Sequence, residues 1–178
     1  MCLLGRMYFT LFPYSKVIPM QELAKFQDLS DYVYLVSPFK FDGVKNIGWL
    51  DLKSRFRTGD VPHSFLEKLR KVMCNNGNFR PLVEPIRELP TCEICGNLKM
   101  VNSEGELISN AQLWIPADHI IFASPVAILH YIEEHNYQPP AEYIDAICEL
   151  NMEKPFDADK IYREKHISSG WFGGKFAP

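Results

Sequence analysis

Two cysteines separated by two residues, Thr91-Cys92-Glu93-Ile94-Cys95-Gly96, and two histidines separated by four, His130-Tyr131-Ile132-Glu133-Glu134-His135, constrain this chain more than any other feature. Thiolates so close in sequence both reach one ion at about 2.3 Å when the backbone folds into a tight knuckle. Gly96 suits that knuckle, because it accepts a positive φ at no steric cost. Tetrahedral Cys₂His₂ sites pair C-x₂₋₄-C with H-x₃₋₅-H, and both spacings here fall inside those limits. The gap between the pairs exceeds the roughly 12–15 residues of a compact finger, so the expected unit is a knuckle, an inserted hairpin and a helix. The expected ion is zinc, held by Cys92, Cys95, His130 and His135, with His119 as the substitute if His135 points away. Four protein donors leave no position for water, which makes the ion structural. It would add folding energy to the second half of the chain.

Other readings of these residues stay open. A C-x-x-C pair also serves redox chemistry, but a thioredoxin-like motif opens a helix after a strand, whereas Pro90 precedes this motif and Gly96-Asn97 follows it. Two reduced, inert thiols and an ordinary helical histidine are the bland alternative. Catalytic zinc of the metalloprotease kind needs H-E-x-x-H, and this chain has H-Y-I-E-E-H. Five cysteines, an odd number, argue against a secreted disulfide framework. Cys74 and Cys148 fall near or on apolar helical faces, where cysteine behaves as a small hydrophobe.

Around this unit the pattern predicts α+β architecture, with short antiparallel strands and hairpins and three main helices. Residues 31–36 are aromatic and β-branched and read as a strand; 45–51 reads as another, with Gly48 marking a bulge or a close backbone approach. Pro62 sits in the first turn of a helix whose apolar face is Phe65, Leu66, Leu69, Val72 and Met73, closed by Asn75-Asn76-Gly77. Residues 79–91, with Pro81, Pro85 and Pro90, read as an irregular connector, and 102–106 as a turn. Residues 111–115 and 119–122 flank Pro116-Ala117-Asp118 as a hairpin. Ser124-Pro125 reads as a helix start, with the helix running to His135 and stopping at Asn136. Pro139-Pro140 opens the third helix, with Tyr143, Ile144, Ile147 and Cys148 on one side. The expected organisation is an α+β half over 7–90, a zinc-finger-like half over 91–150 packed on it as one domain, and a tail over 151–178.

Charge is unevenly spread. The net charge is −3 and the pI near 6.0, which speaks against a nucleic-acid coat. Between residues 40 and 80, however, nine basic residues face four acidic ones. Between 133 and 159 the acids Glu133, Glu134, Glu142, Asp145, Glu149, Glu153, Asp157 and Asp159 face only Lys154. Such a run is a solvated face or a surface for a cationic partner, and intramolecular pairing with the basic stretch is a third outcome. The opening Met1-Cys2-Leu3-Leu4-Gly5-Arg6 does not read as a secretory signal, and no apolar run approaches the roughly 20 residues of a membrane span. A cytoplasmic home is expected.

Met7-Tyr8-Phe9, Phe12-Pro13-Tyr14, Ile47-Gly48-Trp49-Leu50-Asp51, Phe56-Arg57-Thr58-Gly59-Asp60-Val61-Pro62, the Cys92/Cys95 pair, Ala123-Ser124-Pro125, His130-Tyr131-Ile132 and His135-x-Tyr137-x-Pro139-Pro140 together resemble a family of small uncharacterised bacterial proteins over residues 7–148. That resemblance implies a compact bacterial domain whose shared site is the Cys pair and the helical histidines. It brings no activity with it.

Phosphate-binding glycine loops and the nucleophile elbow are absent from the sequence, and no nucleophile–base pair is evident. The expectation is therefore a non-enzymatic binding protein. Its sharpest form is an immunity protein that neutralises a cationic toxin domain through the acidic residues of 133–159, by electrostatic steering and charge complementarity. The alternative is a zinc-stabilised nucleic-acid-binding or regulatory module using Arg55, Arg57, Lys68, Arg70 and Lys71.

Overall fold

The computed structural model describes residues 26–33, 40–52, 55–74, 77–101 and 104–169. In chain order its elements are β1 (Asp31–Val33), β2 (Lys40–Asn46), α1 (His63–Val72), β3 (Phe79–Arg80), β4 (Leu82–Ile86), β5 (Thr91–Cys92), β6 (Gly96–Asn97), β7 (Asn110–Ala117), β8 (Ile120–Pro125), α2 (Ile128–His135), α3 (Ala141–Glu149), β9 (Phe156–Asp157) and α4 (Ala158–Ser168).

A five-stranded sheet in the order β1-β2-β8-β7-β4 organises the chain. Its centre is the β7–β8 hairpin, paired from Gln112↔Pro125 to Ala117↔Ile120. The sheet is mostly antiparallel, as the hairpin pattern predicts, but β2 runs parallel to β8, pairing Val44 with Ile121 and Asn46 with Ala123. The two predicted halves therefore share one sheet: β2 and β4 from the first flank the hairpin of the second.

Leu113, Trp114 and Ile115 are consecutive and all fully buried. Successive strand residues face opposite sides, so this run requires a cover on each face. Leu113, Ile115 and Phe122 face the larger core built with α1, α2 and α3. Trp114 and Ala123 face a second core with Tyr32, Phe41, Val44 and Tyr162. The architecture is α+β, a central sheet with three helices on one side and α4 on the other.

The helical periodicities translate directly. Phe65, Leu69 and Val72 form the buried stripe of α1, which follows the extended Pro62. Tyr143 and Ile147 do the same for α3 behind Pro140, and the Phe65 and Tyr143 rings meet edge to face at 6.3 Å. Cys74 is buried, whereas Cys148 is exposed. Asn136 ends α2 in the left-handed conformation, φ 53° and ψ 29°, as an asparagine can. The Asn75-Asn76 part of the predicted α1 stop and the 102–103 part of the predicted turn lie outside the described residues, as do 34–36 of the first predicted strand and the leader.

Four expectations change. The strand expected over 45–51 is displaced: β2 runs Lys40–Asn46, Gly48 lies beyond its end at φ +65°, and Trp49 makes only an isolated bridge to Phe26. Ser124-Pro125 does not start a helix: both residues belong to β8, and α2 begins at Ile128 without a side-chain cap. Proline pushes the residue before it toward extended backbone. The Ser124 hydroxyl is instead buried, 3.1 Å from the Tyr143 hydroxyl and 3.4 Å from the Leu113 carbonyl. The 79–91 stretch is not a plain connector but contains β3, β4 and the start of β5. Pro85 is tolerated because β4 lies at the sheet edge, where a missing N–H breaks no ladder.

The segment beyond 150 is more than a tail. Phe156 pairs with Phe79 in a short parallel β3–β9 ladder, and α4 buries Ala158 and Tyr162. Only a narrow stripe of α4 is apolar, so its sequence shows little period. Packing against the Phe41 and Trp114 rings, each 5.6 Å from Tyr162, positions it.

Candidate metal centre

The site begins with the β5–β6 hairpin. Cys92 pairs with Gly96 across the ladder, and Gly96 takes φ +87°, the conformation a side chain would resist. The knuckle folds back so that the Ile94 N–H donates to Cys92 Sγ at 3.3 Å. The Glu93 carboxylate accepts the Leu52 N–H at 3.1 Å and ties the knuckle to the segment after β2. Cys92 is buried at 2% exposure and belongs to the main core, whereas Cys95 faces outward.

Helix α2 supplies the other half. His135 Nε2 lies 3.4 Å from Cys92 Sγ, 3.3 Å from Cys95 Sγ and 3.2 Å from His130 Nε2. The imidazole rings stand edge to face, 83° apart. All four donor atoms lie within 4.8 Å of one another, and among the described residues this is the one such grouping of three or more His, Cys, Asp or Glu. The four can hold a metal ion. His119 is exposed at the β7–β8 turn and stands outside the cluster.

Electrostatics inside the cluster hold the Cys95 thiol protonated and the His130 ring neutral. Loss of water around the Cys95 sulfur, then the Cys92 sulfur, then Glu134 push the Cys95 thiol above its ordinary value. Burial, then His135, hold His130 below the ordinary imidazole value, against an opposing pull from Glu134. Neighbouring sulfurs disfavour thiolates, and neighbouring rings disfavour imidazolium. A dication at the centre removes the first penalty and ligates the neutral ring that the second one favours.

The acidic residues divide into two groups. Glu133 is ion-paired with Arg70, which locks α2 to α1. Asp157 pairs with Arg80 and caps α4 by accepting the Lys160 N–H at 3.1 Å. Asp159 pairs with Arg163 at 2.6 Å. On the basic side, Lys68 donates to the Cys148 carbonyl at 2.7 Å. Three of the eight carboxylates are thus matched within the molecule. Glu134, Glu142, Asp145, Glu149 and Glu153 are exposed, the middle three on α3.

The sequence reading passed over one further cluster. Tyr137, fully buried and two residues past His135, donates its hydroxyl to the Asp28 carboxylate, at 2.9 Å from each oxygen. The same carboxylate accepts the Gly48 N–H at 2.7 Å. Burial raises Asp28 above the ordinary carboxylate range, and burial plus the Asp28 charge push Tyr137 far upward, so the hydroxyl stays a donor. Gly48 was the available signal: a side chain there would meet Ile128 and Tyr137, the close approach anticipated from its place in the strand pattern. Asp28 itself stands 109 positions from its partner, and no local pattern marks it.

No helix among the described residues is long and apolar enough to cross a membrane. No curated protein and no solved structure matches the chain. A family described as a domain of unknown function (DUF7919) matches residues 24–148, a span that holds all four donors of the cluster and ends before α4. By that match over most of its length, the chain belongs to the DUF7919 family.

Proposed function

We propose that this protein is a non-enzymatic binding protein, braced by a structural zinc ion at Cys92, Cys95, His130 and His135, that neutralises a cationic protein through the acidic surface of its second half. The observation carrying the metal assignment is the spacing of the donors. A tetrahedral centre with bonds of about 2.3 Å to sulfur and 2.0–2.1 Å to nitrogen sets sulfur–nitrogen separations near 3.6 Å and a nitrogen–nitrogen separation near 3.3 Å. The separations from His135 Nε2 are 3.3–3.4 Å to the two sulfurs and 3.2 Å to His130 Nε2, and all four donors lie within 4.8 Å of one another. Two sulfur and two imidazole donors suit zinc, and the Ile94 N–H on Cys92 supplies the outer hydrogen bond that such ligands keep. Four protein donors complete the tetrahedron, so the ion braces the β5–β6 knuckle against α2 and leaves no place for a reacting water.

The sharpest form of this reading is a bacterial immunity protein that occludes the basic surface of a toxin domain. The exposed carboxylates of α3 support it. The nucleic-acid reading is weaker, because Lys68 and Arg70 of the basic helix are engaged with α3 and α2. Zinc analysis of purified protein tests the brace: one ion per chain is expected, and far less than one would refute it. Co-purification from the native host with mass spectrometry tests the partner. A stoichiometric basic protein encoded beside this one is expected, and recovery of nucleic acid in its place would refute the toxin reading.

A further inference from the structure

Three acidic side chains of the 133–159 stretch are met by an arginine: Glu133 by Arg70, Asp157 by Arg80, Asp159 by Arg163. Three others line a groove of about 550 Å³ between α3, the β7–β8 turn and the chain leading into β9. Glu142, Asp145 and Glu149 lie three and four residues apart, so they share one face of α3 and form one rim. Asp118 stands across from them in the turn, and Lys154 is the one cation in the lining. None of these four carboxylates belongs to an ion pair among the described residues. The floor is apolar, formed by Ala146, Leu150 and Phe156, with Phe156 stacked on the buried Phe79 at 5.5 Å. The volume falls within the several hundred cubic ångströms that binding pockets span.

We infer that this groove docks a basic peptide segment of the protein partner, an aromatic or aliphatic side chain entering the floor while flanking lysines or arginines meet the four carboxylates. The inference rests on the binding-protein reading above and assigns its contact surface. Charge complementarity selects the occupant: an acidic rim repels acidic peptides and nucleic acid, and the apolar floor adds burial that a free cation cannot use.

The test is fluorescence anisotropy with the full metal-replete chain and a labelled peptide, Gly-Lys-Arg-Phe-Lys-Arg-Leu-Lys-Gly. Saturable binding is expected, weakening by roughly five-fold or more between 50 and 300 mM salt, because exposed charge pairs are screened. The variant Glu142→Gln/Asp145→Asn/Glu149→Gln keeps the helix and should lose binding by about ten-fold or more. Lys154→Gln should tighten binding, and Glu88→Gln, outside the groove, should leave it within about two-fold. Replacing Phe and Leu of the peptide by Ser should weaken it several-fold. No binding of the peptide, equal binding by the triple variant, or equal binding of the Ser peptide would each overturn the groove assignment. A basic partner that still co-purifies in those cases leaves the binding-protein reading standing. A groove that passes while no basic partner is recovered refutes the toxin reading alone.

Discussion

Replacing Cys95 by serine separates the metal from the core. Cys92 is buried and packed, so its loss would remove a core side chain along with a ligand; Cys95 is exposed, and its loss removes the ligand alone. The ion would cross-link the knuckle to α2, closing a loop of about 35 residues between Cys95 and His130. A cross-link of that length removes chain entropy worth about 4 kcal/mol at 25 °C from the unfolded state. At roughly 2–4 °C per kcal/mol for a domain of this size, chelation should lower the unfolding midpoint by about 8–16 °C. The assay is calorimetry of zinc-loaded and chelated protein under reducing conditions, for the native sequence and Cys95→Ser. The variant should unfold where the chelated native protein does, and chelation should not move it further. A shift on chelation below about 2 °C would refute the brace. So would a Cys95→Ser deficit of equal size with and without chelator, since coupled groups must lose their separate effects once the coupling is gone.

Three other outcomes follow from the geometry. His130 is held below 6.5, so below that pH the folded, metal-free protein binds fewer protons than the unfolded chain; stability of the chelated protein should fall as pH drops from 6.5 through the folded value, and His130→Gln should flatten that slope in thermal unfolding. A methyl group at Gly48 would lie 3.0 Å from Ile128 Cδ1 and 3.3 Å from Tyr137 Cε1 at φ +65°. Backbone strain of about 1–2 kcal/mol and overpacking of about 1–3 kcal/mol should make Gly48→Ala lose about 2–5 kcal/mol in urea denaturation; an unchanged midpoint would mean the approach is not tight. Tyr162→Ala should cost about 3–5 kcal/mol by the same measurement if α4 is part of the core, and nothing if it is an appendage.

The candidate metal ligands were legible because knuckle and helix are local devices: C-x₂-C followed by glycine, and two histidines on one helix, carry their geometry in a few residues. The β7–β8 hairpin, α1 and α3 were legible for the same reason, since turn chemistry and a 3.6-residue period are written into neighbouring positions. The acidic stretch was visible as charge but not as structure. Which of its carboxylates would find distant arginines depended on where α1 and β3 placed Arg70 and Arg80, whereas Asp159 and Arg163 are a local pair four residues apart on α4.

By itself, then, the sequence determined the hairpin, the α1 and α3 faces, the grouping of Cys92, Cys95, His130 and His135, and the α+β class, because backbone preference and hydrophobic period act over a few residues. Tertiary structure alone decided the parallel pairing of β2 with β8, the use of proline-bearing β4 as an edge, the docking of α4 on Trp114, and the Asp28–Tyr137 contact. Each of those joins residues far apart in the chain. Such pairings are chosen by which faces remain to be buried once the whole sheet has formed, and no window of sequence contains that information.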